Sequence, residues 1–376
     1  MTTTMPVPAL LSWPNRARGG YARKATHRSR EALAPGLAKM SPMNVPAGAA
    51  SGQRAVLGWA APVCGMTWGW TGLRGSWLTP EAGHSMAEMA TLHTNWVTLA
   101  YAAVQRTAQS TRIPFRDEPT LTDDEIRGAV ALARSLGLKV CLKPVVNVAD
   151  GTWRAYIGFF DWEVPGEPTW GEWFASYRAY VVHHARLAAE LGAEMFCIGC
   201  EMVRADSQEH HWRELVAEVR AVYDGLVTYN CDKYQEDHVT GWDAVDVISA
   251  SGYYPTGQWE AQLDRIEAVV RREDKPFCFI EAGCPSRQGS AARPNDWKLV
   301  GEANEQVQAD YLDEMLSACA ARDWVGGFML WDWPASLYDP GDAAANDDYC
   351  VYAKAGSDVV ARHYAAALGL GGAARD

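Results

Sequence analysis

The sequence predicts a single (β/α)8 TIM barrel, and three observations carry that prediction. Strand-like and helix-like stretches alternate in eight pairs from Val56 onward. Several of the strand-like runs, among them Met195 to Met202 ("MFCIGCEM") and Phe277 to Ser286 ("FCFIEAGCPS"), are apolar on both faces, as strands are in a parallel sheet covered by helices. These two runs bring Glu201 and Glu281 to the strand end where a barrel gathers its functional groups. Residues 56–370 have the length of one such barrel with a few long loops, and two doubly wound domains would need a linker and a Gly-rich dinucleotide turn that the sequence lacks.

Each pair has its own local signals. The first strand lies near Met66 to Trp70, and its helix opens at Thr79-Pro80-Glu81, a cap, a proline and an acid in the first turn. The second strand starts at Asn95, and Thr122, the acids behind it and Gly137 bound the next helix. Lys139 to Val148 ("KVCLKPVVNV") is the third strand, followed by a long helix from about Trp170 to Leu191 that Gly192 closes. The fourth strand ends in Glu201, and a helix from about Gln208 to Tyr223 follows. The fifth ends at Asn230, and the sixth ends at Tyr253-Tyr254 before a helix from about Trp259 to Arg272. Strand seven carries Glu281, a helix from about Glu302 to Arg322 leads to strand eight ("GGFMLWDWP"), and a last helix near Asp358 to Leu368 completes the ring.

Composition narrows the partners. A formal net charge of -12 opposes nucleic acid or an anionic membrane surface as partner. The 17 Trp and 15 Tyr against 8 Phe favour flat rings with a polar handle, suited to stacking on sugars, although large barrels also use many aromatics in their cores. No run reaches the length of a membrane span. Residues 1–55, with eight Lys or Arg against the single acid Glu31 and no sustained apolar period, read as a disordered basic leader. They lack a continuous apolar segment after the basic residues, so a cytoplasmic location is expected, with export by an unrecognised leader left open. Nine cysteines, several inside strands, read as buried free thiols in a reducing compartment. Cys197 and Cys200 are expected on opposite strand faces, and the pairs His183-His184 and His210-His211 on helix surfaces, so no metal site and no cofactor is expected.

The chemistry is expected from the glutamates. Strands four and seven would place Glu201 and Glu281 across one mouth, where like-charge repulsion separates two carboxyls into a proton donor and an anion. That division is the requirement of retaining glycoside hydrolysis. The competing reading is that each glutamate pairs with a buried cation such as Lys143.

The stretches "LKPVVNVADGTWRAYI", "WFASYRAYVVHHARLAAELGAEMFCIGCEM", "VTYN", "WDAVDVISASGYYP" and "FIEAGCPS" resemble glycoside hydrolase family 113, a clan A family best known for β-1,4-mannan hydrolysis. The likeness spans most of Trp59 to Leu368. It implies Glu201 as general acid/base, Glu281 as nucleophile, double displacement, and an oligosaccharide or polysaccharide substrate. It also implies Tyr253 or Tyr254 as donor to the nucleophile and Trp331 as the floor under the sugar. Lys143, Asn147, Trp68, Trp70, Asn230, Asp232 and Asp332 are further candidates from strand ends. The chain departs from the clan where Cys200 replaces the Asn that usually precedes the acid/base, and where Val145 and Asn147 stand in place of an expected His and Asp. These departures leave gluco- or amino-sugar substrates, and a catalytically silent glycan-binding barrel, as alternatives. Transfer of sugars in place of hydrolysis would use the same residues.

Overall fold

The computed structural model describes residues 61–70 and 72–370; the basic leader expected over residues 1–55 lies outside them. Eight strands form one closed parallel barrel in sequence order: β1 (Val63–Trp68), β2 (Trp96–Gln105), β3 (Lys139–Val148), β4 (Met195–Cys200), β5 (Leu226–Cys231), β6 (Val247–Gly252), β7 (Phe277–Ala282) and β8 (Val325–Trp333). Closure is made by β8 against β1, with Val63 opposite Gly327 and Cys64 opposite Phe328. Strand residues fill the barrel interior in layers. Val63, Trp96, Cys141, Met195, Cys197, Val247, Cys278, Ile280 and Met329 make one, and Trp70, Ala100, Val145 and Cys200 make another toward the mouth.

Seven α-helices surround the barrel among the described residues: α1 (Pro80–Ala90), α2 (Asp123–Ser135), α3 (Trp170–Glu190), α4 (Glu209–Arg220), α5 (Trp259–Glu273), α6 (Glu305–Ala320) and α7 (Ala355–Ala367). The starts of α1, α2 and α3 follow from capping chemistry. The Thr79 hydroxyl accepts from Ala82 N, and Thr122 with Glu125 closes a reciprocal capping box, as does Thr169 with Glu172. The eighth helix of the expected ring is absent: β5 and β6 are joined by a loop with a 3-10 turn over Trp242–Ala244. Buried Trp242, whose indole donates to Glu236 O at 2.8 Å, covers the sheet there in its stead.

Two histidine expectations are corrected. His184 is buried, its Nδ1 donating to Tyr180 O at 2.9 Å and its ring 5.1 Å from that of Tyr101, and burial drives its pKa down to about 4. Long α3 packs on both the barrel and α4, so its apolar stripe is wide enough to take in the neighbour of half-buried His183. His211 is likewise half-buried, its ring stacked on Phe174 at 4.7 Å, while His210 is exposed. No described helix is long and apolar enough to cross a membrane.

Candidate active site

Both glutamates reach the mouth through irregular backbone. A strict two-residue period would turn Cys197 and Cys200 to opposite faces. The β4–β5 register shifts between them, so Ile198 and Gly199 both pack outward, and both cysteines face the interior. This corrects the expectation for that pair; all nine cysteines are nonetheless free and buried. Glu201 follows with φ +52°, its backbone N–H held by Asn230 O at 2.8 Å. A second shift, between Ala250 and Ser251 on β6 against Phe279 and Glu281 on β7, lets Glu281 face the site although Ile280 before it also points inward.

An oxygen of Glu201, an oxygen of Glu281 and Cys200 Sγ all lie within 4.8 Å of one another. Each carboxylate has its own counter-ion. Glu281 Oε1 is paired with the ammonium of Lys143 and accepts from Cys200 Sγ at 3.2 Å, while Tyr253 OH donates to Oε2 at 3.2 Å. Glu201 Oε2 accepts from Arg154 Nη1 at 3.0 Å and Trp153 Nε1 at 3.2 Å, and Ser251 Oγ donates to its Oε1 at 2.8 Å. Burial pushes the Glu281 carboxyl up, but Lys143 and then Arg154 outweigh it and hold the group below the usual glutamate range. Lys143 is pulled down by burial and held above its ordinary value by Cys200 and Glu281, so it stays an ammonium. Burial, then the Glu281 charge, raises Tyr253 well above a free tyrosine and keeps it a donor. Asp232, at the end of β5, is pushed up to about 7 by burial and then by the Glu201 charge.

Of the residues expected at the site, the structure brings together Glu201, Glu281, Lys143, Asn147, Tyr253 and Trp331. Lys143 unites the two readings offered for it: it lies at the mouth and neutralises a buried acid. Asn147 Oδ1 accepts from Arg154 Nη2 at 3.0 Å. The Trp331 ring lies 5.1 Å from Trp70 and 6.0 Å from the Lys143 ammonium, and Asp332 follows it, half-buried. Burial, then Asp348 and Glu281, raises the Asp332 carboxyl well above its ordinary value.

Two candidates sit elsewhere, and a third lies under the site. Trp68 faces the helices, its indole donating to Ser85 Oγ at 3.2 Å, because it is the last residue of β1 on the outward parity. Tyr254 also points outward, donating to Glu236 and packing 5.1 Å from Trp259, as the residue after inward Tyr253 must. Asn230 is fully buried beneath the carboxylates, where it accepts from Lys143 at 3.3 Å and donates to Ser251 at 2.9 Å. It orients the two side chains that hold the glutamates.

Trp153, Arg154 and Ser251 were missed. The first two lie in the loop after β3, beyond any strand end, and an isolated "WR" gives no periodic signal; Ser251 is a small polar residue in an apolar strand, and that interruption was the available clue. The donors Cys200, Glu201 and Glu281 are close enough to hold a metal ion. Lys143 and Arg154 already sit against the two carboxylates, so the protein itself supplies the positive charge that a cation would bring.

The sequence model of Glycoside Hydrolase Family 113 matches residues 66–354. A solved structure of a GH113 β-1,4-mannanase in complex is 53% identical, with a TM-score of 0.80 over 81% of this chain and 99% of that one. GH113 β-mannanase AaManA from Alicyclobacillus acidocaldarius, in complex with ManMIm, is 43% identical, with a TM-score of 0.80 over 83% of this chain and all of that one (100%). Ruminococcus gnavus β-glucuronidase, at 14% identity and a TM-score of 0.55 over 81% of this chain and 50% of that one, shares the fold. Curated proteins give no significant match. With the match to its family covering most of the barrel, the chain belongs to glycoside hydrolase family 113.

Proposed function

We propose that the protein is a retaining β-glycoside hydrolase acting on β-1,4-linked mannose-type oligosaccharides, with Glu281 as nucleophile and Glu201 as general acid/base. The carboxylate spacing carries the mechanism. Oxygens within 4.8 Å of one another fit the roughly 5 to 5.5 Å of retaining enzymes, whereas inverting enzymes hold their carboxyls about 6.5 to 9.5 Å apart to admit water. Similarity to two β-1,4-mannanases at 53% and 43% identity supports the sugar.

In the first step Glu281, kept anionic by Lys143, attacks the anomeric carbon while Glu201 gives its proton to the departing oxygen. In the second step Glu201 takes a proton from water, which displaces Glu281 with a second inversion. Tyr253 and Cys200 orient the nucleophile through its two oxygens. Trp331 supplies an apolar face for the sugar.

Hydrolysis of β-1,4-mannooligosaccharides by the purified protein, with a β-configured first product, is the test; an α-configured first product refutes the mechanism. Glu281→Ala should abolish turnover on every substrate. Glu201→Ala should cripple natural substrates far more than activated aryl glycosides, and azide should rescue it with formation of a β-glycosyl azide. We place the protein in the cytoplasm, because its nine free, buried cysteines suit a reducing compartment; cell fractionation checks this.

A further inference from the structure

Six aromatic side chains are markedly exposed among the described residues, and four of them fall in one ten-residue stretch of the loop between β3 and α3: Trp153 (40%), Tyr156 (53%), Phe160 (49%) and Trp162 (68%). A large ring in water costs free energy that a fold has no reason to accept, so such a concentration marks a surface meant to be covered. The rings form two touching pairs, Trp153 with Tyr156 at 5.9 Å and Phe160 with Trp162 at 5.9 Å. The loop is braced on the segment directly after Glu201. Arg204 N donates to Ala155 O at 3.3 Å and its guanidinium lies 5.8 Å from the Tyr156 ring, while Gln208 donates to Asp161 at 3.0 Å.

What covers this surface follows from where it begins. Trp153 donates to Glu201 Oε2 at 3.2 Å. On the mechanism proposed above, Glu201 protonates the glycosidic oxygen, an atom that leaves with the departing fragment. Groups that start at Glu201 and run outward therefore meet the departing side, while Glu281, Lys143 and Trp331 meet the sugar that is attacked. We infer that the loop from Trp153 to Trp162 is a stacking platform for the leaving-group part of a β-linked oligosaccharide, reaching beyond the first sugar. Flat apolar rings suit the C–H faces of pyranose rings.

The inference rests on the proposed function for its orientation, and its test separates the two. Binding of mannopentaose is measured by calorimetry in a Glu281→Gln background, which requires no turnover. Adding Tyr156→Ala and Trp162→Ala together should weaken binding about tenfold; a change within about twofold overturns the platform. Product analysis in 18O-labelled water then gives its side. With Glu281 intact, the double substitution should shift cleavage of mannopentaose toward shorter departing fragments. Shortening of the attacked, glycone-side fragment, or an unchanged pattern, overturns the assignment to the leaving group. Failure of the unsubstituted protein to hydrolyse any β-linked substrate, with the tenfold binding loss still seen, would refute the proposed hydrolysis and leave the platform standing as a glycan-binding surface.

Discussion

Replacing Lys143 with Met should test how the nucleophile is kept ionised. The Lys143 side chain is 0% and that of Glu281 5% exposed, so their ion pair is cut off from solvent. Met keeps the length and loses the charge. Breaking such a pair by removing one partner costs about 3–5 kcal/mol when the remaining charge stays buried, a large part of the ~5–15 kcal/mol that holds a typical protein folded. In the intact protein the folded Glu281 pKa lies below its unfolded value, so the pair's contribution is full above the unfolded carboxylate range of about 4.3 and fades as pH falls through the folded pKa. Without Lys143, burial is the largest remaining influence and the folded pKa rises; the variant then loses stability as pH rises through that new value. The destabilisation should be smaller near pH 4.5 than near pH 8, where it should approach about 3–5 kcal/mol. Urea unfolding at both pH values reads this directly, and the acid limb of kcat/KM should move upward in parallel. An equal loss at both pH values, or an unmoved acid limb, would refute the electrostatic reasoning.

Other parts of the barrel make independent predictions. Ser85 Oγ accepts from the indoles of Trp68 and Trp333 at 3.2 and 3.1 Å where β8 meets β1, and Trp333 has a second acceptor in Ser85 O at 3.0 Å. Ser85→Ala therefore orphans the Trp68 N–H and removes the donor to Pro334 O, and should cost about 1–3 kcal/mol by denaturant unfolding. Gly199→Ala would set a Cβ 2.9 Å from ring atoms of both Trp212 and Tyr229. It should destabilise by about 1–3 kcal/mol and, by displacing Glu201, cut turnover more than stability alone explains. Asp206, hydrogen-bonded by Tyr229, is pushed up to about 7 by burial, so its neutral form is favoured on folding and stability is lost as pH rises through that value. Asp206→Asn should compare better with the intact protein at pH 8 than at pH 5, measured by thermal unfolding; the opposite order would show that the carboxylate is needed ionised.

By itself the sequence determined the barrel, because parallel strands buried on both faces read as apolar runs and helix starts are written in local capping residues such as Thr79 and Thr122. β3 is found at its expected bounds, Lys139–Val148, paired along its whole length with β2. Glu201 and Glu281 were legible as carboxylates at strand ends. Tertiary structure alone decided their company. Register shifts beside Cys200 and Glu281 set side-chain direction against the simple two-residue period, and they arise from how neighbouring strands pair. Parity read from the sequence accordingly misplaced Cys197 relative to Cys200, and position at a strand end did not distinguish inward Tyr253 from outward Trp68 and Tyr254. The Arg154 guanidinium meets Glu201 across a loop, 47 residues apart in sequence. Such a contact costs nothing in local conformation and leaves no local pattern; it exists because the closed barrel brings the end of β4 beneath the loop that follows β3.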